Sequence, residues 1–526
     1  MSEPHAQATP SLRQAALRGT LWFGIAQVFD RLVQAGVLFV LARLLGGRDF
    51  GLIAQAMVPV ALLQLLVGGG FTAALVQRRT LGRADADTVF WINLGLSGAL
   101  TALALWVAPA YAGFVHEPML SPVLSALSVV LPISALSVVQ EALLSRELRF
   151  AHLALRQTVG NLAGVVAALI VAWLEGGVWA LVMQQVATRA VSTAALWVSS
   201  PWRPTLRFEP RAALSLTTFG GSIVGTRLAQ FGATRAHEGV IGWKLPTSAV
   251  GDLFLAGRLV QVLGQAVTLM VARVALPTFS KMGDDVPRIE RAYRSAVRST
   301  AAITLPVFVG LAVFAPEAMA LSFGPTFAPA WPVLVWLSLG AVVGSINSYN
   351  TSVLVAVGRP SLPLYLQLAN AATHLGTVVA VALIVFSGDS GWSGSELGFS
   401  LTVLAAAMTI RRWLFWPVQL WVLRASIGLR LGHFLGSLLG PFGATVLAAV
   451  SVLFWRSLLG AGGSGWLGAG VVTFGVLYVV SLVLLAPAMA GSLFLDVEKL
   501  APAGIKRQRV FERLRRYAEA MSSRGT

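Results

Sequence analysis

Long apolar runs follow one another along most of the chain and are separated by short polar connections. A helix that crosses a membrane needs about 20 mostly apolar residues, and runs of that length recur from residue 20 to residue 490. They predict fourteen transmembrane helices, with limits near 20–43, 51–76, 88–110, 119–143, 152–173, 177–198, 214–240, 248–279, 296–315, 330–356, 361–387, 396–423, 434–457 and 466–490. The eighth is long enough to be tilted or broken. The pattern predicts an all-α polytopic membrane protein.

Composition supports this fold class. Of 526 residues, 56% are hydrophobic and 12% are charged, whereas soluble domains carry roughly 25% charged residues. The mean hydropathy is +0.75. The absence of cysteine excludes disulfides, thiol catalysis and cysteine-ligated metals.

Positive charges alternate between the two sides of the predicted helices. Every second connection is basic, and together these connections hold Arg78, Arg79, Arg83, Arg146, Arg149, Arg203, Arg207, Arg211, Lys281, Arg288, Arg291, Arg294, Arg298, Arg359, Arg424 and Arg430. The opposite connections hold only Arg43, Arg48, Lys244 and Arg456. Because cytoplasmic connections are enriched in Lys and Arg, both termini are predicted to be cytoplasmic. The same rule accounts for the net charge of +17 without a nucleic-acid partner. A count of twelve helices would have to omit one pair, most plausibly the last two.

The predicted helices divide into repeated halves and an extension. The stretch ARLLGGRDFGLIAQA, which contains Gly51, resembles IGWKLPTSAVGDLFLAGR, which contains Gly251. Repeated halves are a common plan for transporters. We therefore predict a first lobe of six helices over 1–200, a second lobe of six over 201–425, and two further helices over 426–495. A basic tail over 496–526 has apolar positions at helical spacing, which predicts an amphipathic helix on the inner membrane surface.

Several charged residues interrupt the apolar runs. A charge at the centre of a bilayer costs about 2.5–3.5 kcal/mol on insertion scales, so such residues normally face a partner or a water-filled path. The candidate substrate-binding cations are Arg31, Arg227, Arg235, Arg258, Arg411 and Arg412. The acids that could neutralise them, or could bind a coupling ion such as Na⁺ or H⁺, are Asp30, Glu141, Glu238 and Asp252.

The arginines outnumber these acids, so the sequence predicts an anionic cargo. Arginine suits phosphate because its planar guanidinium donates two parallel hydrogen bonds and keeps its charge when desolvated. The simpler alternative is that each arginine pairs with an acid or extends to the membrane surface from the end of a helix. We favour cargo binding for Arg31, Arg227 and Arg235, and we leave both interpretations open for Arg258, Arg411 and Arg412.

Motifs of catalysis and metal binding are missing from the sequence. The pair Asp85 and Asp87 resembles the DxD pair of glycosyltransferases, but it lies in a short connection without a nucleotide-binding domain, and a structural role is favoured. No HExxH, Walker A or GxSxG sequence is present. We predict a protein without a catalytic residue, a resident metal or another cofactor.

Four stretches together resemble the polysaccharide-unit flippases of the MOP superfamily. They are ALRGTLWFGIAQVFDRLVQAGVLFVLARLLGGRDFG, LLSRELRFAHLALRQTVGNLAG, VALPTFSKMGDDVPRIERAYRSAVR and VAVGRPSLPL, in family order and up to about residue 425. The resemblance implies a V-shaped transporter that moves undecaprenyl-pyrophosphate-linked oligosaccharides across the bacterial inner membrane. It also implies a cationic cavity between two lobes, in which Arg31, Arg227 and Arg235 occupy matching places.

The sequence leaves alternative functions open. A multidrug transporter or a transporter of the peptidoglycan lipid precursor would belong to the same superfamily. A polytopic polysaccharide polymerase or ligase is disfavoured because those enzymes generally need a large outer loop. Besides the lipid-linked oligosaccharide and the bilayer, other polysaccharide assembly proteins are the expected partners.

Overall fold

The structure is a computed structural model. It describes residues 30–31, 33–68, 72, 75–76, 82–147, 149–209, 224–225, 227–228, 230–232, 236–280, 282, 285–359, 361–386, 394–459, 464–487, 489–491, 494–495 and 515–521. At 150, 236, 266–278, 280, 394–395 and 464–465 it describes the backbone alone. Every regular element in these residues is a helix, as the hydropathy pattern predicts.

The helices are numbered along the chain. The first half contains α1 (Val33–Leu44), α2 (Gly47–Leu66), α3 (Arg83–Val115), α4 (Leu120–Ser128), α5 (Val130–Ala135), α6 (Val138–Arg146), α7 (Phe150–Trp173), α8 (Val178–Ser199) and α9 (Ala236–Lys244). The second contains α10 (Thr247–Ser280), α11 (Val286–Val313), α12 (Ala315–Phe323), α13 (Trp331–Ile346), α14 (Asn350–Ala356), α15 (Ser361–Ile384), α16 (Gly394–Ile427), α17 (Leu431–Leu459) and α18 (Ser464–Leu485).

Length and composition identify the helices that could cross a membrane. Within the described ranges, eight helices qualify, and nine if the pair Leu120–Ala135 and Val138–Arg146, bent by 42°, is taken as one span. The predicted count of fourteen stays a prediction. The fourth predicted helix is thus the broken one, whereas α10, for which a break was considered, runs continuously over 34 residues.

The protein divides into two compact units, Met1–Phe254 and Leu255–Thr526. The predicted lobes, 1–200 and 201–425, are defined by a sequence repeat and stay a prediction. Of the predicted tail helix over 496–526, the structure describes residues 515–521, which are helical.

In the first unit, the two stretches of the sequence repeat adopt the same local structure. The helix–turn–helix pattern of residues 41–50 is identical, position by position, to that of residues 241–250. The two turns also pack against each other reciprocally. A Cβ at Gly51 would collide with the backbone carbonyl of Thr247, and one at Gly251 would collide with that of Gly47. Positions 47 and 51 therefore meet their equivalents 247 and 251 in swapped order, which is the contact expected from two similar turns related by a local twofold axis.

Glu117 joins these two turns. Arg48 at the start of α2 donates to it, with 2.6 Å between Nη2 and Oε1, and the Thr247 hydroxyl at the start of α10 donates to Oε2 at 3.2 Å. The hydrogen bond from Arg48 lowers the pKa of Glu117. The carboxylate thus stays charged at neutral pH, and its contribution to stability is lost only as the pH falls through that lowered pKa.

Close approach of α7 and α8 depends on glycine. Gly160 and Gly164, four residues apart on α7, face Thr188 and Ser192 on α8, and a Cβ at Gly164 would lie 2.7 Å from the backbone oxygen of Gln184. Small residues at this spacing let two membrane helices approach closely enough for extensive van der Waals contact. These two helices form the most tightly joined pair in the first unit.

We expect Gly164→Ala to destabilise the protein by about 1–3 kcal/mol, the usual cost of forcing extra volume into a packed contact. The matched control is Gly95→Ala in α3, where a Cβ would meet nothing within 4 Å. That substitution should stabilise the protein by up to about 1 kcal/mol, because alanine has the higher helix propensity. Thermal unfolding of the purified protein in detergent distinguishes the two, and equal shifts in Tm would contradict the packing argument.

A buried aromatic and polar network organises the second unit. Tyr293 on α11 stacks on Phe434 of α17, with 6.1 Å between ring centroids, and neither residue is exposed. The Tyr293 hydroxyl donates to Asn350 Oδ1 at 2.9 Å, and Asn350 in turn donates to Gln419 on α16 at 3.3 Å. These contacts join four helices, α11, α14, α16 and α17, at one point.

The last two helices are attached to the rest of this unit by polar as well as apolar contacts. The Tyr478 hydroxyl on α18 donates to the backbone oxygen of Ala302 on α11 at 2.6 Å. Arg456 near the end of α17 pairs with Glu317 on α12, with 2.7 Å between Nη2 and Oε1, and the Glu317 side chain is only 3% exposed. The two helices are therefore integral to the second unit.

Candidate functional site

A cluster of polar and charged side chains lies among the helices of the first unit, around Asp30 and Arg31. Asp30, just before α1, is buried and lies close to the side chains of Thr158 and Asn161 on α7. Asn161 Oδ1 accepts a hydrogen bond from Gln157 at 2.9 Å. Its neighbour Arg31 is half-buried.

Arg31 has unused hydrogen-bonding capacity. Its Nη1 atom is buried and, within the part of the chain that the structure describes, has no hydrogen-bond partner. A buried guanidinium donor without an acceptor is costly, so the site is suited to an external anion. Asp30 and Arg31 are adjacent in sequence, but the described contacts of Asp30 are with α7.

Glu141 serves as a charge partner. Its Oε2 atom lies 2.8 Å from Nη2 of Arg156 on α7. Arg189 on α8 is close enough to both residues to interact electrostatically with them. Two arginines therefore share one carboxylate in this group, which leaves a net positive charge.

Neither Arg156 nor Arg189 was among the candidate cations predicted from the sequence. The signal for Arg156 was its position in RQTVGN, where four polar or small residues, Arg156, Gln157, Thr158 and Asn161, interrupt an apolar run. The contacts of Thr158 and Asn161 with Asp30, and of Arg156 with Glu141, depend on helix packing, which the sequence pattern does not give.

The structure gives fewer contacts for the remaining candidate residues of the first unit. Arg227 is exposed, and Arg235 lies outside the described residues. Glu238 on α9 is half-buried and lies near Tyr111, whose hydroxyl donates to the backbone oxygen of Gln55 at 3.3 Å. Asp252 is half-buried on α10. That Glu238 and Asp252 neutralise intramembrane arginines stays a prediction.

In the second unit, Arg258, Arg411 and Arg412 donate hydrogen bonds to side-chain or backbone oxygens of helical residues. Arg258 Nη1 donates to Gln261 Oε1 at 2.7 Å, one turn along α10. Arg411 donates to α15, at 2.8 Å to Asn370 Oδ1 and 3.0 Å to Thr373 Oγ1.

Arg412 points to another helix, where its Nη1 atom donates to the backbone oxygen of Gly340 on α13 at 3.0 Å. The adjacent arginines thus bind different neighbours on either side of α16. His374 is buried close to both of them. These contacts join α16 to α15 and α13. They are neither the pairing with an acid nor the extension to the membrane surface that the sequence suggested as the simpler interpretation, and cargo binding by these arginines stays a prediction.

The DxD-like pair has a structural role. Asp85 accepts a hydrogen bond from the backbone N–H of Gly82 at 2.9 Å and so caps α3. Asp87 accepts hydrogen bonds from the backbone and side chain of Thr205, which fastens the segment 201–209 to α3. Across the described ranges, no group of three or more His, Asp or Glu residues is arranged to hold a metal ion.

Solved structures with the same fold are membrane transporters. The lipid II flippase MurJ, in an inward closed conformation, matches with a TM-score of 0.71 at 14% identity, over 88% of this chain and 98% of that chain. An inward-facing multidrug resistance MATE family transporter of the MOP superfamily matches with a TM-score of 0.61 at 16% identity, over 75% and 95%. The protein is thus a multi-span membrane protein with the MOP fold, as predicted.

Curated relatives carry names from polysaccharide assembly. The succinoglycan biosynthesis transport protein ExoT of Rhizobium meliloti is 29% identical over 65% of this chain and 70% of its own. The lipopolysaccharide biosynthesis protein WzxC of Escherichia coli is 25% identical over 74% and 79%. A family model described as polysaccharide biosynthesis protein matches residues 40–332, more than half of the chain. The chain therefore belongs to the polysaccharide biosynthesis protein family.

Proposed function

We propose that the protein is a flippase that translocates undecaprenyl-pyrophosphate-linked oligosaccharide repeat units across the bacterial inner membrane for the assembly of a surface polysaccharide. Family membership and the names of the relatives support the polysaccharide pathway. The transporter fold supports translocation rather than sugar chemistry. In this proposal the cargo changes sides without any covalent bond being made or broken.

The observation that carries the proposal is the surplus of positive charge among the helices of the first unit. Arg31 keeps a buried donor atom without a partner in the described residues, and Arg156 and Arg189 share the single carboxylate of Glu141. A diphosphate group supplies the acceptor oxygens and negative charge that this surplus requires. We assign Arg31 to the pyrophosphate and add Arg156 and Arg189 to the candidates.

The roles of the other predicted cations follow from their contacts. Arg227 and Arg235 remain proposed contacts of the pyrophosphate. Arg411 and Arg412 donate hydrogen bonds to α15 and α13, which favours roles in positioning those helices. Arg258 donates to Gln261 on its own helix, which favours a local role.

Uphill transport needs an energy source, and the same proposal includes an ion that couples transport to a gradient. Asp30 is the best-placed acid, since it is buried beside the side-chain oxygens of Thr158 and Asn161. Carboxylate, hydroxyl and amide oxygens suit Na⁺, and a buried carboxyl can equally take up H⁺. Glu141, Glu238 and Asp252 are then charge partners rather than ion sites.

A deletion strain gives a direct cellular test. We expect loss of the surface polysaccharide together with accumulation of lipid-linked repeat units that remain on the cytoplasmic leaflet. Expression of the intact protein from a plasmid should reverse both effects. Repeat units that accumulate on the periplasmic side would indicate a polymerase or ligase and would contradict the proposal.

A further inference from the structure

A cationic cavity lies between α11 and α17 in the second unit, apart from every candidate residue described above. Its volume is about 320 Å³, at the lower end of the range of roughly 300–1,000 Å³ that is usual for small-molecule sites. The residues that line it are Arg291, Arg294, Ser295, Arg298, His433 and Ser437. All the side chains that line it are therefore polar.

The residues that line the cavity come from two helices, α11 and α17, that are far apart in the sequence. Arg291, Arg294 and Arg298 are three and four residues apart, so they lie on one face of α11. His433 and Ser437 are four residues apart on α17. The cavity therefore presents three guanidinium groups opposite an imidazole and a hydroxyl.

The positive charge in the cavity is only partly compensated. Arg294 lies 3.8 Å from Glu290, its partner one turn earlier. Arg291 Nε donates weakly to the backbone oxygen of Pro287, at 3.4 Å. The Nε atom of Arg298 is buried and has no hydrogen-bond partner among the described residues. With one carboxylate for three arginines, the cavity retains a net positive charge and spare donors.

The wall behind the cavity is rigid. Tyr293 and Phe434, which alternate with the lining residues on α11 and α17, form the fully buried stack that joins the two helices. The hydrogen bond from Tyr293 to Asn350 fixes α11 further. The backbone positions that carry the arginines are therefore fixed before any ligand binds, which lowers the entropic cost of binding.

The place of the cavity suggests the kind of ligand. Both α11 and α17 begin after connections that the charge pattern assigns to the cytoplasmic side. That pattern explains why arginines are frequent there, but it does not explain their convergence with His433 and Ser437 around one concavity. At the cytoplasmic surface of a membrane, lipid headgroups present phosphates at high density.

We propose that this cavity binds the phosphate or diphosphate headgroup of a membrane lipid from the cytoplasmic leaflet. The bidentate donors of Arg294 and Arg298 take phosphate oxygens, and Ser437 and His433 complete the site from α17. Two sources share this chemistry, an ordinary anionic phospholipid and the diphosphate of a lipid-linked cargo. Only the second source rests on the proposed function.

The experiment uses the purified full chain and measures lipid binding by native mass spectrometry. The probes are phosphatidylglycerol and undecaprenyl diphosphate, added separately. The variants are Arg298→Gln and Arg294→Gln, and the second is included in case the first perturbs folding. The matched control is Arg288→Gln, which removes the same charge from an exposed position of α11 outside the cavity.

We expect the affinity for at least one probe to fall about tenfold in the two cavity variants and to stay within about twofold in the control; a tenfold change corresponds to about 1.4 kcal/mol. A loss for undecaprenyl diphosphate alone identifies the cargo headgroup, and a loss that includes phosphatidylglycerol identifies a general phospholipid site. Unchanged affinities in both cavity variants, or an equal loss in Arg288→Gln, would overturn the proposal. Neither result would alter the phenotype of the deletion strain, so failure of this site and failure of the flippase function are separable.

Discussion

Replacement of Arg31 by Gln is expected to reduce polysaccharide export at least tenfold while the protein remains in the membrane at its normal level. The substitution removes a half-buried cation whose Nη1 atom has no hydrogen-bond partner within the described part of the structure. A hydrogen bond to a charged group contributes roughly 1.5–3 kcal/mol, and 1.4 kcal/mol corresponds to a factor of ten. Export is measured as surface polysaccharide in the complemented deletion strain.

Two further variants make this test specific. Arg31→Lys keeps the charge but loses the planar fork, so an intermediate level of export is expected. Arg424→Gln removes an equal charge from an exposed position and should leave export unchanged. Normal export by Arg31→Gln at a normal protein level would show that Arg31 does not bind the cargo.

Replacement of Arg456 by Gln is expected to destabilise the protein by about 3–5 kcal/mol, the range found when one partner of a buried ion pair is removed. The change leaves the Glu317 carboxylate, 3% exposed, without its cation at 2.7 Å. Because this pair joins α17 to α12, the loss should appear as a lower Tm of the purified protein in detergent.

The control uses another ion pair of the same chain. Arg515 and Glu519 are about half exposed and 2.9 Å apart, and exposed pairs contribute only about 0–1 kcal/mol. Arg515→Gln should therefore hardly change the Tm, and the double variant Glu317→Gln with Arg456→Gln should recover part of the loss. A Tm for Arg456→Gln equal to that of Arg515→Gln would contradict a buried structural pair.

The helices and the likeness of two turns could be predicted from the sequence because both depend on local pattern. Apolar runs of sufficient length fix where helices form. The likeness of the stretches around Gly51 and Gly251 predicted equivalent turns, and these share the same local structure. That the two turns pack against each other could not be predicted, since the pattern gives elements but not their neighbours.

The contacts within the candidate site likewise could not be predicted from the sequence. Arg31 stood out because a charge interrupted an apolar run, but Arg156 and Arg189 gain significance only where Glu141 lies close to both. Conversely, Arg411 looked available in the sequence, whereas its guanidinium binds Asn370 and Thr373 on the neighbouring helix.

The cationic cavity of the second unit could not be recognised from the sequence either. The arginines of α11 satisfied the charge rule for a cytoplasmic connection and so needed no other explanation. Their spacing already placed Arg291, Arg294 and Arg298 on one helical face. His433 lies about 140 residues later in the sequence. It lies opposite that face because Tyr293 packs on Phe434.

Translocation by the purified protein tests the central claim most directly. The full chain is reconstituted into liposomes that contain an undecaprenyl-pyrophosphate-linked oligosaccharide, and a membrane-impermeant lectin reports the sugars exposed on the outer leaflet after those initially exposed have been removed enzymatically. The account predicts that sugars from the inner leaflet become accessible in vesicles with the protein, more slowly with Arg31→Gln, and not in protein-free vesicles. An accessible fraction no greater than in protein-free vesicles, under an imposed Na⁺ or H⁺ gradient as well as without one, would contradict it.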